Sequence, residues 1–205
     1  MATLTQEDQN QISATIAQVE SKTAGEVVVA VVGQSDDYAQ ARYTAAFCLT
    51  MVTAWLAHHA PLGAISEYLI PLQLPVFFLW VQATKISAVT RFLGKQVSPE
   101  RVRERAMRMF IERGIHNTRD QSGLLVMLSE LEHQVVILGD AGIHSKVGDS
   151  GWENYVGRIV EGLKSGAAGA SIVSVLEELG GTLATHFPPR GDDTNELSND
   201  VVVQP

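Results

Sequence analysis

Acidic side chains that could bind a cation lie at the ends of two predicted strands. Asp120 comes just before an apolar run that begins at Gly123, and Asp140 comes directly after a second apolar run. Glu130 and Leu131 join the two runs, which predicts a tight antiparallel hairpin. Cross-strand partners in that hairpin have numbers that sum to about 260, so Asp120 is expected to face Asp140. Two carboxylates on converging loops are oxygen ligands suited to Ca²⁺ or Mg²⁺.

Further polar residues accompany these carboxylates at the same predicted edge. Glu26 begins another predicted strand, and His116 is expected to approach His144 at the open end of the hairpin. The candidate metal ligands are Asp120, Asp140 and Glu26, and the other candidate site residues are His116, Arg119, Gly123, Gly142 and His144. Two alternatives stay open: the aspartates could cap turns or helix starts, and Arg119 could form an ion pair or bind a phosphate or carboxylate.

Common catalytic motifs are missing from the sequence. It contains no GxxxxGK[ST], no GxGxxG after a predicted strand, no GxSxG and no HExxH. The single cysteine, Cys48, excludes an intramolecular disulfide and a zinc–thiolate cluster, and it favours a reducing compartment. The formal net charge of −8 argues against nucleic acid as the main partner.

The elements that position these residues alternate between helical and strand patterns. A capping box of Thr5 and Asp8 opens a helix predicted over 5–23, and the β-branched run 26–33 predicts a strand covered on both faces. Another helix begins at Ser98-Pro99-Glu100. The hairpin over 123–129 and 132–138 follows, and then two helices over 150–164 and 170–187. The order predicts an α/β fold in which a small mixed sheet has helices on both faces and the strands 26–33 and 123–129 run parallel.

Two stretches without formal charge interrupt this pattern. They comprise 24 residues between Arg42 and Glu67 and 17 residues between Glu67 and Lys85. A membrane-spanning helix needs about 20 apolar residues, so both stretches are short but adequate. Aromatic residues near the predicted ends favour the headgroup region: Tyr43, Trp55, Tyr68 and Trp80. The sequence therefore predicts a two-helix transmembrane hairpin over 41–85, with two buried helices of a soluble core as the alternative.

The basic residues predict the orientation of this hairpin. Arg42 precedes it and Lys85, Arg91 and Lys95 follow it, whereas the connecting loop 58–67 has no lysine or arginine. Because basic residues favour the cytoplasmic side, both termini are expected in the cytoplasm of a bacterium, with a multi-pass topology in the inner membrane. The bilayer and another membrane protein are the expected partners.

The predicted domain organisation follows from these elements. Residues 1–40 supply the first helix and strand of an α/β domain, 41–85 form the transmembrane hairpin, and 86–187 complete the domain. The acidic tail 188–205 is expected to be disordered, because it is polar and rich in carboxylates.

The motifs of the soluble part resemble those of the TPM domain. The resemblance rests on the run 118–128, which contains Asp120 and Gly123, on the run 132–144, which contains Asp140 and Gly142, and on a first strand after Gly25. It covers roughly residues 3–33 and 98–187, and the hairpin resembles an insertion found in a bacterial membrane branch. The resemblance implies an α/β sandwich. It also implies a membrane-tethered cytoplasmic assembly or maintenance factor that binds a divalent cation or a partner, or alternatively a weak metal-assisted acid phosphatase.

Overall fold

The computed structural model describes residues 4–60, 69–84, 99–190 and 196–204. Its strands are β1 (Glu26–Val32), β2 (Gly123–Ser129), β3 (Gln134–Gly139) and β4 (Val202–Gln204). They form one sheet in the order β3-β2-β1-β4. β1 pairs in parallel with β2 and with β4, whereas β2 and β3 are antiparallel. The mixed sheet confirms the predicted α/β class and the parallel pairing of its first two strands.

Helices cover both faces of this sheet. The helices are α1 (Gln6–Glu20), α2 (Ala39–His59), α3 (Leu69–Ala83), α4 (Pro99–Glu112), α5 (Ala141–Ser165) and α6 (Ala168–His186). α1, α5 and α6 pack on one face of the sheet and α4 packs on the other. Every residue of β1 and β2 is buried, as expected for apolar strands covered on both sides.

Local signals in the sequence determine where several helices begin. Thr5 and Asp8 form the predicted capping box at the start of α1. α4 begins at Pro99, a residue whose fixed φ suits the first helical turn. α5 begins at Ala141, nine residues before the predicted start, because its first turns precede a break at Gly148, where φ is 70°. The predicted helix over 150–164 corresponds to the part after this break.

Part of the C-terminal tail differs from the disorder predicted over 188–205, of which residues 191–195 and 205 lie outside the described residues. Val202–Gln204 form β4, which extends the sheet beyond β1 and pairs Ala30 with Val202. The backbone N–H of Gly33 donates to the Gln204 carbonyl at 2.9 Å. The three valines at 201–203 supply a short β-branched segment that can pair with the edge of β1. The acidic composition of the tail predicted disorder and gave no indication of this strand.

The chain divides into two compact units, Met1–Ser35 with Ser98–Pro205, and Asp36–Val97. The second unit contains α2 and α3, which pack against each other. The two predicted helices are therefore present as a hairpin. Within the described residues, no helix is both long enough and apolar enough to cross a membrane. The described helices therefore give no support to the predicted crossing of the membrane.

Candidate functional site

The loops before β2 and after β3 lie side by side at one edge of the sheet. The backbone N–H of Asp140 donates to the Gly123 carbonyl at 2.9 Å, and that of Gly142 donates to the Gln121 carbonyl at 3.1 Å. The structure thus brings the loops together as predicted, but not in the predicted register. Asp140 lies opposite Gly123 rather than opposite Asp120.

A longer turn between β2 and β3 causes this difference. Ser129 pairs with Gln134, so the turn contains four residues, 130–133, instead of the two that the sequence predicted. His133 has a φ of 55°, a left-handed conformation that a non-glycine side chain rarely adopts. The sequence carried no glycine at this position to reveal the longer turn.

Two of the candidate site residues are glycines that the packing requires. A Cβ atom on Gly142 would lie 2.6 Å from the Gln121 carbonyl oxygen and 2.8 Å from that of Asp120. A Cβ atom on Gly123 would lie 2.0 Å from the Ile115 carbonyl oxygen. All three separations are well below van der Waals contact. Gly123 and Gly142 therefore allow the close approach of backbone segments that forms this edge.

Both aspartates make contacts that stabilise the fold. Asp140 is the N-cap of α5, where one side-chain oxygen accepts a hydrogen bond from the Ala141 N–H at 2.7 Å. Its Oδ2 atom is buried and has no hydrogen-bond partner among the described residues. The Oδ1 atom of Asp120 accepts a hydrogen bond from Arg190 at 2.7 Å. The alternative roles of capping and ion pairing thus describe these contacts, although Arg190 rather than Arg119 is the cation beside Asp120.

Glu26 lies at the same edge, opposite Gly123 in the β1–β2 register. It is buried, and its Oε1 atom accepts a hydrogen bond from the backbone N–H of Glu196 at 3.0 Å. Its neighbour Glu20, which the sequence analysis did not select, accepts a hydrogen bond from the Val27 N–H at 2.9 Å. Burial, with a smaller contribution from the charge of Glu26, raises the pKa of Glu20 to about 7, against the hydrogen bonds from Val27 and Asn199. Glu20 ends a helix, so only the tertiary fold reveals its proximity to Glu26.

The remaining candidate side chains lie near the protein surface. His116 is exposed on a short 3₁₀ helix, Ile115–Asn117, and Arg119 is exposed two residues after that helix. The Nδ1 atom of His144 accepts a hydrogen bond from the indole N–H of Trp152 at 3.1 Å. No contact between His116 and His144 is seen in the described residues.

These residues fit a divalent cation only in part. Within the described ranges, no three or more His, Cys, Asp or Glu side chains are grouped so that they could hold a metal ion. The buried Oδ2 atom of Asp140 has no hydrogen-bond partner among the described residues and could act as a metal ligand. The loop that contains Asp120 is adjacent to the loop that contains Asp140. Ca²⁺ takes six to eight oxygen ligands, so two carboxylates and nearby carbonyls provide at most a weak site.

A second polar cluster lies at the opposite edge, where β1 and β2 end. The Oε1 atom of Glu132 accepts a hydrogen bond from the Ser35 N–H at 3.0 Å, and its Oε2 atom accepts one from the Ser129 hydroxyl. The hydroxyls of Ser35 and Ser129 are 2.7 Å apart. Glu132 and Ser129 are both buried. The cluster therefore connects the turn 130–133 to the segment after β1. The sequence does not reveal it, because Glu132 belongs to a polar turn, and local patterns predict such residues to be exposed.

The chain is similar to a protein family and to a solved structure. Residues 85–182, a little under half of the chain, match the family model of the TPM domain. This match supports the resemblance that the sequence motifs indicated, and it gives no function for the domain. It leaves the insertion of a membrane hairpin without support.

The NMR structure of the BA42 protein from the psychrophilic bacterium Bizionia argentinensis has a similar fold. The similarity covers 98% of this chain and 96% of that chain, with a TM-score of 0.61 and 22% sequence identity. At this identity the similarity concerns the fold alone. The comparison with curated proteins gave no significant match.

Proposed function

We propose that this chain is a membrane-attached TPM-like protein, in which the hairpin α2–α3 contacts the hydrocarbon of a bilayer and the α/β unit binds a partner. The observation that carries this proposal is the apolar surface of the hairpin. Ten of its large apolar side chains are between 42% and 68% exposed: Tyr43, Phe47, Met51, Val52, Trp55, Leu56, Leu72, Leu74, Phe78 and Leu79. Contiguous apolar surface of this kind marks a contact with a membrane or a protein.

Three hydroxyl groups of α2 are hydrogen-bonded within the helix, as a lipid surrounding requires of polar groups. The Thr50 hydroxyl donates to the Ala46 carbonyl at 2.8 Å, and the Thr44 hydroxyl donates to the Gln40 carbonyl at 2.9 Å. The Thr53 hydroxyl donates to the Thr50 carbonyl at 2.9 Å. Hydrocarbon offers no hydrogen bonds, so polar groups within it must be satisfied internally. These three hydroxyls meet that requirement.

The packing of α2 also resembles that of helices in membranes. Its buried residues are Ala46 and Thr50, which are small and four residues apart. Small residues at this spacing allow helices to approach closely without apolar side chains between them. The large side chains of α2 consequently point away from the hairpin interface and remain available for lipid.

Tryptophan fluorescence in vesicles of brominated phosphatidylcholine tests the attachment. Trp55 is 62% exposed on α2, whereas Trp152 lies on α5 in the other unit. We expect brominated lipid to quench a variant that retains Trp55 alone and to leave the matched variant that retains Trp152 alone unchanged. Equal quenching of both variants, or of neither, would contradict the proposal.

The orientation that we propose keeps both ends of the chain in the bacterial cytoplasm, because Arg42 precedes the hairpin and Lys85, Arg91 and Lys95 follow it in the sequence. A reporter that is active only in the cytoplasm, fused after Pro205, should be active. A reporter that requires the periplasm should be inactive at the same position. The partner that we propose is another membrane protein, which a pull-down from solubilised membranes would identify.

A second candidate function is weak binding of Ca²⁺ or Mg²⁺ between the loops that contain Asp120 and Asp140. The buried, unpartnered Oδ2 atom of Asp140 favours it. The metal-assisted phosphatase has less support than cation binding, because Asp120 is ion-paired with Arg190 and Asp140 caps α5. Chemical shifts of both loops during a calcium titration test the cation site.

A further inference from the structure

The outward face of α4 combines exposed apolar and basic side chains. Met107 and Ile111 are 44% and 56% exposed, although the opposite face of the helix is buried against the sheet. Arg103 lies one turn before Met107, Arg108 lies one turn before Ile111, and the exposed Glu104 lies between them on the same face. An apolar stripe edged by arginine is typical of helices that lie at a membrane surface.

The arginines of this face differ in their interactions. Arg101 forms an ion pair with Glu104 at 3.2 Å, and Arg105 donates to the Oε1 atom of Gln204. Arg103 and Arg108 are exposed and form no ion pair with any described residue. Their guanidinium groups are therefore available for an anionic ligand, and both lie beside the exposed apolar residues.

The sequence around α4 carries an excess of positive charge. Residues 84–113 contain eight basic and three acidic side chains, whereas the whole chain has a formal net charge of −8. This basic segment follows directly on α3, the second helix of the apolar hairpin. Basic clusters next to a membrane-inserted segment bind anionic lipid headgroups.

We propose that the α4 face formed by Arg103, Met107, Arg108 and Ile111 binds the headgroups of anionic phospholipids. Arg103 and Arg108 contact the lipid phosphates, and Met107 and Ile111 enter the boundary between headgroups and acyl chains. This proposal rests on the membrane attachment proposed above, since the hairpin brings the chain to the bilayer. The charge of the face selects lipid composition, which an apolar hairpin alone cannot do.

Flotation of the full chain with two kinds of vesicle tests the proposal. One kind contains phosphatidylcholine alone, and the other also contains phosphatidylglycerol. We expect tighter binding to the anionic vesicles at low salt, and we expect high salt to remove the difference. The variant R103Q/R108Q should bind anionic vesicles roughly 25-fold more weakly, at about fivefold for each arginine near the surface. Its binding to neutral vesicles should not change.

Two further variants test whether binding depends on this particular face of α4. K146Q/K164Q removes the same charge from exposed positions of α5 and should bind anionic vesicles as the wild type does. M107Q/I111Q should weaken binding to anionic vesicles at both salt concentrations. Thermal unfolding of all variants should match the wild type, because the substituted side chains are exposed.

The outcomes separate this proposal from the one on which it rests. Wild-type binding of anionic vesicles by R103Q/R108Q would overturn the α4 proposal, as would an equal loss of binding in K146Q/K164Q. If these variants still bind neutral vesicles, the attachment through the α2–α3 hairpin stands without the α4 proposal. Failure of the wild type to bind neutral vesicles, together with binding to anionic vesicles through Arg103 and Arg108, would overturn the hairpin attachment alone.

Discussion

Arg190 donates a 2.7 Å hydrogen bond to the Oδ1 atom of Asp120, so a residue beyond the last long helix holds the loop that precedes β2. The Arg190 guanidinium thus competes for a carboxylate oxygen that a divalent cation would need as a ligand. Both side chains are partly exposed, and such pairs contribute about 0–1 kcal/mol to stability. The pair is therefore easy to break without unfolding the protein.

Arg190→Gln should strengthen calcium binding at the loops. The substitution removes a positive charge that competes with Ca²⁺ for the Asp120 carboxylate. We expect calcium to shift the amide resonances of residues 118–123 and 140–142 at lower concentration in this variant than in the wild type, as measured by NMR titration. Adding Asp140→Asn should raise the required concentration again. The absence of shifts in both loops of Arg190→Gln at millimolar calcium would exclude the cation site.

Glu20 should make the stability of the protein depend on pH. Burial raises the pKa of its carboxyl group from the ordinary value of 4.5 to about 7 in the folded protein. The folded state then holds the proton more tightly than the unfolded chain, and the stabilisation is fully present below pH 4.5. It is lost as the pH rises through about 7.

Glu20→Gln should flatten this dependence, because glutamine keeps an acceptor for the Val27 N–H and cannot ionise. In the wild type, the free energy of unfolding measured by urea titration should fall by about 1–2 kcal/mol as the pH rises from 4.5 to about 7. This figure is reduced from the full effect of the pKa shift because Glu20 is partly exposed. Glu153→Gln, at an exposed position of α5, is the control and should keep the wild-type slope. A flat wild-type profile would show that Glu20 ionises without cost to the fold.

Gly123→Ala should destabilise the α/β unit severely. The added methyl group would lie 2.0 Å from the Ile115 carbonyl oxygen, and the backbone at both positions is fixed by the sheet and the 3₁₀ helix. We expect a loss of about 3 kcal/mol in the free energy of unfolding. Gly157→Ala is the matched control: nothing lies within 4 Å of its Cβ position on α5, and it should stabilise by about 1 kcal/mol. Similar urea midpoints for the two variants would contradict the steric explanation.

Cys48 should report on the surroundings of α2. It is exposed on that helix and is the single cysteine of the chain, so a thiol reagent labels one position. A water-soluble maleimide should react with Cys48 of the unfolded chain in urea, and much more slowly when the protein is bound to vesicles. Mass spectrometry over time measures the two rates. Equal rates would place Cys48 in water and contradict the lipid contact of α2.

Much of the α/β unit follows from local sequence patterns. The uninterrupted apolar run of β1 predicts a strand buried on both faces, and the bounds predicted for β2 are those observed. The β2–β3 register could not be predicted, because it depends on a turn in which His133 adopts a left-handed conformation. β4 could not be predicted either, because three residues pair stably only where an edge already exists.

The site was predictable in its position but not in its contacts. The antiparallel pairing of β2 with β3 places the loops of Asp120 and Asp140 together. The parallel pairing of β1 with β2 places Glu26 beside Gly123. The partners of these carboxylates come from distant parts of the chain: Arg190 contacts Asp120, and the Glu196 backbone contacts Glu26. Local periodicity carries no information about such contacts, which arise only when the tail packs on the sheet.

The position of β1 between β2 and β4 has a consequence for biosynthesis. β1 emerges early from the ribosome, but both of its neighbours follow only after the apolar hairpin has been made, and β4 follows α6. Until then, its edges expose unpaired backbone groups along a chain of valines, which is a template for aggregation. Early capture of the hairpin by a bilayer would hold nascent chains apart during this interval. Synthesis in the absence of membranes should consequently yield more aggregated chain than synthesis in their presence.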